Sequence, residues 1–162
     1  MIVNGIPADI IAAEVGKLVQ AVIPTMPLIV KGAAYPNQDV DEFIMYDFLR
    51  TEYVGTPATL EWQRFTFQLI AYSKPPQDRS DQKLFRHMEL GNLYKSALQR
   101  QRVFYTMPIV GGKTTCIHIK EPTISFLDLR NLSEFSPEIQ ANTPPLHLLS
   151  AVLLFNGVTY YA

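Results

Sequence analysis

One cysteine, Cys116, is all that the 162-residue chain contains, so an internal disulfide and a cysteine-based zinc site are both excluded. Charge is scarce as well: Asp, Glu, Lys and Arg make up 18% of the residues and the formal net charge is −1, against a charged share of about 25% in ordinary domains. Without an excess of Lys and Arg, no bulk positive charge exists to displace counterions from phosphates, which excludes a nucleic-acid binder driven by overall charge. Long apolar runs are missing. Stretches such as Ala151–Phe155 fall far short of the ~18 residues that a membrane span needs. The first residues carry neither a basic stretch nor a long apolar one, so no signal peptide is expected. Internal repeats and low-complexity tracts are lacking too.

What is present is a core. Hydrophobic residues make up 48% of the chain, which together with the low charge excludes disorder, and the length suits one domain rather than two. The expectation is a soluble, globular, intracellularly made single domain over residues 1–162.

Hydrophobic spacing then sets the elements. Pro7 suits a first helical turn, Asp9 favours the helix dipole, and Ile11, Val15, Leu18 and Val22 recur on one helical face. A helix over about residues 8–22 is expected, stopped by Pro24 and Pro27. Leu28–Lys31 reads as a short strand and Tyr35–Asp41 as turn chemistry. Glu42–Val54 carries apolar groups on both faces, as in a central strand covered on both sides. In Trp62–Ser73, Phe65, Phe67, Leu69 and Ala71 alternate with Thr66 and Gln68, a strand with one wetter face. These two strands predict a long antiparallel hairpin.

Ser80 is a candidate N-cap with Asp81 behind it, and a helix follows to about Leu98. Its apolar stripe is Leu90, Leu93, Tyr94, Ala97 and Leu98, widened in the first half by Leu84, Phe85 and Met88. A stripe that wide is either deeply buried or meets another chain. Val103–Val110 and Lys113–Lys120 flank Gly111-Gly112, a hairpin turn signal, and Pro108 demotes the first arm to an edge or bulged strand. Thr123–Arg130 alternates again. Leu146–Phe155 and Val158–Tyr161 flank Asn156-Gly157, which predicts a further hairpin with a tight turn. Helix, three strands, helix and four or five strands make an α+β fold, a mainly antiparallel sheet with two helices packed on one face.

Chemistry is sparse. His87, His118 and His147 lie in different elements without metal-ligand spacing and read as surface or partly buried histidines. Cys116 and His118 share a strand face, the one arrangement resembling a nucleophile and base; a packed thiol is the plainer reading. Gly111-Gly112-Lys113-Thr114-Thr115 lacks the first glycine of a phosphate loop and leads into a strand rather than a helix. Asp39, Asp41 and Glu42 fall short of a calcium site in ligand number and read as a solvated acidic loop. Arg79, Lys83, Arg86, Lys95, Arg100 and Arg102 give the region of the second helix a basic bias, diluted by Asp81 and Glu89; a charged outer face or contact with an acidic partner both fit. No catalytic residue, cofactor loop or metal set stands out, and a non-enzymatic role is expected.

The aromatic residues, nine Phe, eight Tyr and one Trp, suit subunit contacts, where aromatics are enriched and charges depleted. The segments ADIIAAEVGKLVQAVIP, EFIMYDFLRTEY, WQRFTFQLIAYSKPP and DRSDQKLFRHMELGNLYKSAL follow one another as helix, paired long strands and second helix. That order, completed by closing strands, resembles the tail terminator (tail completion) proteins of bacteriophages with long non-contractile tails, in topology and length over nearly the whole chain. The resemblance implies a structural virion protein: a hexameric ring at the head-proximal end of the tail, assembled in the host cytoplasm without a cofactor. Its partners would be its own copies, the tail tube protein and a head-completion or neck protein. Genomic DNA would pass through the lumen without sequence-specific binding, and no membrane would be involved. The alternatives are another head-tail connector ring, a small cytosolic enzyme acting through Cys116 and His118, or an adaptor for a host protein.

Two break-rich connections, Tyr53–Leu60 and Leu132–Pro145, are either partner-facing or ordinary solvent-exposed loops. The candidate interface residues are Tyr53, Val54, Thr56 and Leu60 in the first, Phe135 and Ile139 in the second, and Phe85 and Met88 on the second helix.

Overall fold

The computed structural model describes residues 6–31, 41–53, 63–73, 85–106, 112, 114–129 and 148–161. Helix α1 (Ala8–Val22) starts after Pro7, whose carbonyl accepts from the Ile10 and Ile11 N–H groups at 3.1 Å. Ile11, Val15 and Val19 are buried on its inner side, with Leu18 and Val22 packed beside them. Strand β1 (Leu28–Val30) follows, then β2 (Glu42–Tyr53) and β3 (Gln63–Ser73), helix α2 (Arg86–Leu98), and strands β4 (Arg102–Thr106), β5 (Thr114–Ile119), β6 (Thr123–Leu129) and β7 (Leu148–Tyr161). All seven strands form one sheet in the order β1-β2-β3-β7-β5-β4, with β6 also on β7. Among the described residues only β1 and β2 pair in parallel; the other pairs are antiparallel. The fold is α+β, with α1 lying over β2 and α2 over β3 and β7.

Alternation along the strands decides which residues meet the helices. Ile44 and Tyr46 of β2, Phe65 through Ala71 at every second position of β3, Ala151, Leu153 and Phe155 of β7, and Ile117 and Ile119 of β5 join Leu90, Tyr94 and Leu98 of α2 in the core. Its centre is aromatic. Phe67 and Phe155 stack at 4.7 Å, Phe65 lies 6.2 Å from Phe67, and Tyr46 meets Phe67 edge-on at 5.8 Å. The Tyr46 hydroxyl donates to the Ala12 carbonyl at 2.8 Å, fixing α1 to β2. Burial raises the Tyr46 pKa and pushes that of Tyr94 up to about 12, so both stay neutral.

The expected hairpin at Asn156-Gly157 does not exist: both residues lie inside the uninterrupted strand β7, paired with Thr66 and Phe65 of β3. The reason is steric and non-local. The Phe65 ring covers Gly157 so closely that a Cβ built there would fall within it, and a glycine with no side chain lets that ring lie flat on the neighbouring strand.

Strand β7 is paired along both edges, by β3 on one side and by β6 then β5 on the other. Ile119 stands opposite Gly157 and Thr123 opposite Leu154, so three residues face two, a β-bulge. Pro122 lies in that bulge and has no N–H to give to a ladder. A second bulge interrupts β2 between Phe48 and Arg50, opposite Phe67 and Thr66. Both bulges fall level with the Phe67–Phe155 pair, and because bulges sharpen local twist, the sheet curls along that line.

The second helix differs from its sequence reading in its buried side. Within the described residues it runs from Arg86 with Phe85 as N-cap; the candidate N-cap Ser80 and the rest of residues 74–84 lie outside the described part. Its sheet-facing line is His87, Leu90, Gly91, Tyr94 and Leu98. A Cβ on Gly91 would lie 2.7 Å from the Ala151 Cβ, so the helix docks on its glycine. Leu93, two residues and roughly 200° further round, is turned outward and 44% exposed. The helix ends in Gln99, whose N–H donates to the Lys95 carbonyl at 3.0 Å, followed by Arg100 at φ 63°. That left-handed conformation crowds a Cβ and favours glycine. Arg100→Gly is expected to raise stability by about 0.5–1 kcal/mol, measurable as a higher urea midpoint at unchanged m-value.

Candidate interaction surface

The outward row of α2 comprises Phe85, Glu89, Asn92, Leu93 and Ser96, all exposed. Phe85 is 55% exposed, although its carbonyl accepts from the Met88 and Glu89 N–H groups at 3.0 and 3.1 Å. The backbone at Phe85 is therefore fixed while its ring stands in solvent. Met88 is half-buried. Of the eight sequence-predicted interface residues these two come together at the start of α2. Tyr53 ends β2 opposite Gln63, and its side chain lies outside the described part. Val54, Thr56, Leu60, Phe135 and Ile139 lie outside it altogether.

Some of the basic bias near α2 is neutralised. The Arg86 guanidinium donates to the two carboxylate oxygens of Glu42 at 2.7 and 3.4 Å and to Glu89 at 3.2 Å, which raises its pKa, the Glu42 bond contributing most. Glu42 is thereby a structural partner of α2 rather than part of a solvated acidic loop. Asp39, Arg79 and Lys83 are outside the described part. Among the described residues, no group of three His, Cys, Asp or Glu side chains is placed to hold a metal ion, and no helix is long and apolar enough to cross a membrane.

The sheet face away from the helices divides at the curl. On one side, Met45, Ile70 and Val152 lie in one cross-strand row, half-buried, beside the stacked and buried pair Phe43 and Tyr72 at 4.6 Å. That bears on the reading of β2 as covered on both sides: Phe43 is buried there, whereas Leu49 in the bulge is exposed. On the other side, Arg102, His118, Val158, Arg64 and Glu52 form one row, and Phe104, Cys116 and Tyr160 the next.

Cys116 is fully buried between Phe104 and Tyr160. Its hydrogen bond with the Tyr160 side chain is the main cause of that phenol's raised pKa. His118 is half-buried and its pKa is lowered, first by desolvation and then by the Arg102 and Lys120 charges. The sign follows: the unfolded chain binds the proton before the folded one, so this contribution to stability is intact above about pH 6.5 and is lost as pH falls toward the folded value. His118→Gln is expected to shrink the fall in Tm between pH 7.5 and 5.5. His87 is buried against the Phe126 ring, edge-on at 5.9 Å, and His147 is outside the described part. The arms flanking Gly111-Gly112 pair antiparallel, Thr106 with Thr114, hydroxyls 3.1 Å apart, a register three residues off that of a two-residue Gly111-Gly112 turn, which would set Thr106 opposite Ile117; Gly111 itself lies outside the described part.

Sequence reading missed two surface residues and one buried polar one. Leu93 was assigned to the core because its spacing from Leu90 is helical, and only Gly91 signalled another docking side. Phe104, 63% exposed, shares its face of β4 with Arg102, and a large apolar residue in that outward register was the available signal. Gln63, in the inward register of β3, is buried and holds Ile6 from both sides: the Ile6 N–H donates to Gln63 Oε1 and Gln63 Nε2 donates to the Ile6 carbonyl, each at 2.8 Å.

Compared with known proteins, no family model matches the chain and no curated protein does. One solved structure, of a protein whose name states no activity, aligns over 94% of this chain and 96% of its own, with 14% sequence identity and a TM-score of 0.46. A likeness at that level says nothing about function.

Proposed function

We propose that this protein is a structural ring component of a bacteriophage tail, of the tail-terminator type, whose copies close head-to-tail at the head-proximal end of the tube. One ring face copies the end of the tube subunit and accepts the tube. The other lacks that surface, so tube growth stops there and a head-completion or neck protein can dock. Genomic DNA passes through the lumen. Heterologous contacts that close on themselves are the geometry this requires.

The observation that supports the reading is the outer row of α2. Phe85 and Leu93 leave about half of their apolar surface in solvent on a helix whose opposite side already fills the core. Burying a Phe or Leu side chain contributes about 1.5–3 kcal/mol each, enough for several such contacts to hold a ring together. Phe85→Asp and Leu93→Asp test this directly. Both variants are expected to keep wild-type circular dichroism and to lose assembly in sedimentation velocity, with at least a hundredfold weaker association, about 3 kcal/mol. Assembly unchanged in both variants would place the interface elsewhere and remove the support. Met88→Asp, at a half-buried position, is expected to lose fold stability as well.

A further inference from the structure

The end of the sheet beyond the curl concentrates positive charge that the net charge of −1 conceals. On the face away from the helices, Arg102, His118 and Arg64 share one cross-strand row, with Arg50 in the row before it. Lys120 joins them at the bulge, its N–H donating to the Asn156 carbonyl at 2.8 Å. Arg100 precedes the edge strand by two residues. Arg50, Arg64, Arg100, Arg102 and Lys120 are all exposed. Among the described residues the acids at this end are Glu52, opposite Arg64, and Glu121, next to Lys120, so the described cations outnumber them. The field is felt locally, since Arg102 and Lys120 both disfavour protonation of His118.

In the midst of this charge stands Phe104, the most exposed of the large hydrophobic side chains described, with Arg102 two residues before it on the same face of β4 and Tyr160 two strands away. Arg102 and Arg64 are three strands apart, about 14 Å at ordinary strand spacing. A sheet face with an exposed aromatic ring flanked by phosphate-seeking cations meets the two needs of an unpaired nucleotide strand, a surface for base stacking and charge along the backbone. Duplex bases are stacked on each other and offer no free face to a ring. Arg100 adds a second kind of observation: an arginine is held at φ 63°, where glycine would be less strained.

We propose that this corner binds single-stranded nucleic acid, with Phe104 stacking on a base and Arg64, Arg100, Arg102 and Lys120 contacting consecutive phosphates. The contact is weak and salt-labile, as few charges imply, and it is independent of the ring reading.

Fluorescence anisotropy of a labelled twelve-nucleotide thymidine oligomer against the full chain tests it. Binding is expected to weaken with salt at a logarithmic slope of about −2.8, corresponding to four phosphates neutralised on a single strand. Phe104→Ala should weaken binding about tenfold without changing that slope, and Phe104→Tyr should retain it. Arg102→Ala should lower the slope by about 0.7. Arg100→Gly should weaken binding while stabilising the fold, a combination that a purely structural role does not produce. A duplex of the same length should bind more weakly and be indifferent to Phe104→Ala. No detectable binding at low salt, or equal binding of both nucleic acids with Phe104→Ala silent, would overturn the proposal while leaving the ring assembly experiment unaffected.

Discussion

Gly157→Ala is expected to destabilise the protein by about 3 kcal/mol, at the upper end of what overpacking of a core costs. A Cβ at this position would enter the Phe65 ring, and that ring has little room to leave. Phe65 is fully buried, 6.2 Å from both Phe48 and Phe67, within the aromatic cluster that α1 and α2 cover. The effect should therefore depend on the ring. In a Phe65→Leu background the added methyl has space, and the same glycine substitution should cost about 1 kcal/mol or less, a coupling that a double-mutant cycle in urea denaturation measures. Had Gly157 formed a hairpin turn, the cost would come from backbone conformation and would not change with Phe65.

Gln63→Leu is the second large effect, again about 3 kcal/mol. Gln63 receives the Ile6 N–H, donates to the Ile6 carbonyl, and also accepts from the Thr159 hydroxyl at 2.9 Å. Leucine fills similar volume but leaves these three polar groups buried without partners, each costing about 1–3 kcal/mol, partly relieved where water reaches them. Gln63→Glu separates hydrogen bonding from packing. A protonated carboxyl can still accept from Ile6 N–H and donate to its carbonyl, whereas a carboxylate cannot donate and is costly to bury. The Glu variant should thus lie near wild type at pH 4 and fall below it by pH 7, each compared with wild type at the same pH. A deficit independent of pH would mean that shape, not hydrogen bonding, holds the segment before α1.

Gln63 also shows where sequence reading stops. The alternation of Phe65, Phe67, Leu69 and Ala71 predicts β3 because a strand's side chains point to opposite faces, a short-range rule that needs no partner. Helix α1 follows in the same way from its 3.6-residue period. Gln63 extends the inward register of β3 as a polar residue, so its position was visible. Its partner was not, because Ile6 lies 57 residues away. Asn156-Gly157 failed for a related reason. Locally the pair is a turn signal, and only the ring of Phe65, brought alongside by the full register of β3 against β7, reveals that the glycine supplies space instead.

The surface divides similarly. Phe85 stood out in the sequence as apolar surface beyond what one core contact requires, and it is exposed. Leu93 looked like core because spacing fixes which residues share a helix face but not which face meets the sheet; Gly91 against Ala151 settles that, and the choice is a tertiary one. The basic end of the sheet was illegible for the plainest cause. Arg50, Arg64, Arg102 and Lys120 are scattered over four segments of the chain, and only the strand order gathers them.

Native mass spectrometry of the full chain, alone over a range of concentrations and mixed with tail tube protein, tests the central claim most directly. The ring account predicts a closed species at six times the 18.4 kDa chain, formed alone or on the tube end and absent for Phe85→Asp. A chain that stays at 18.4 kDa in every condition, tube protein included, would contradict it.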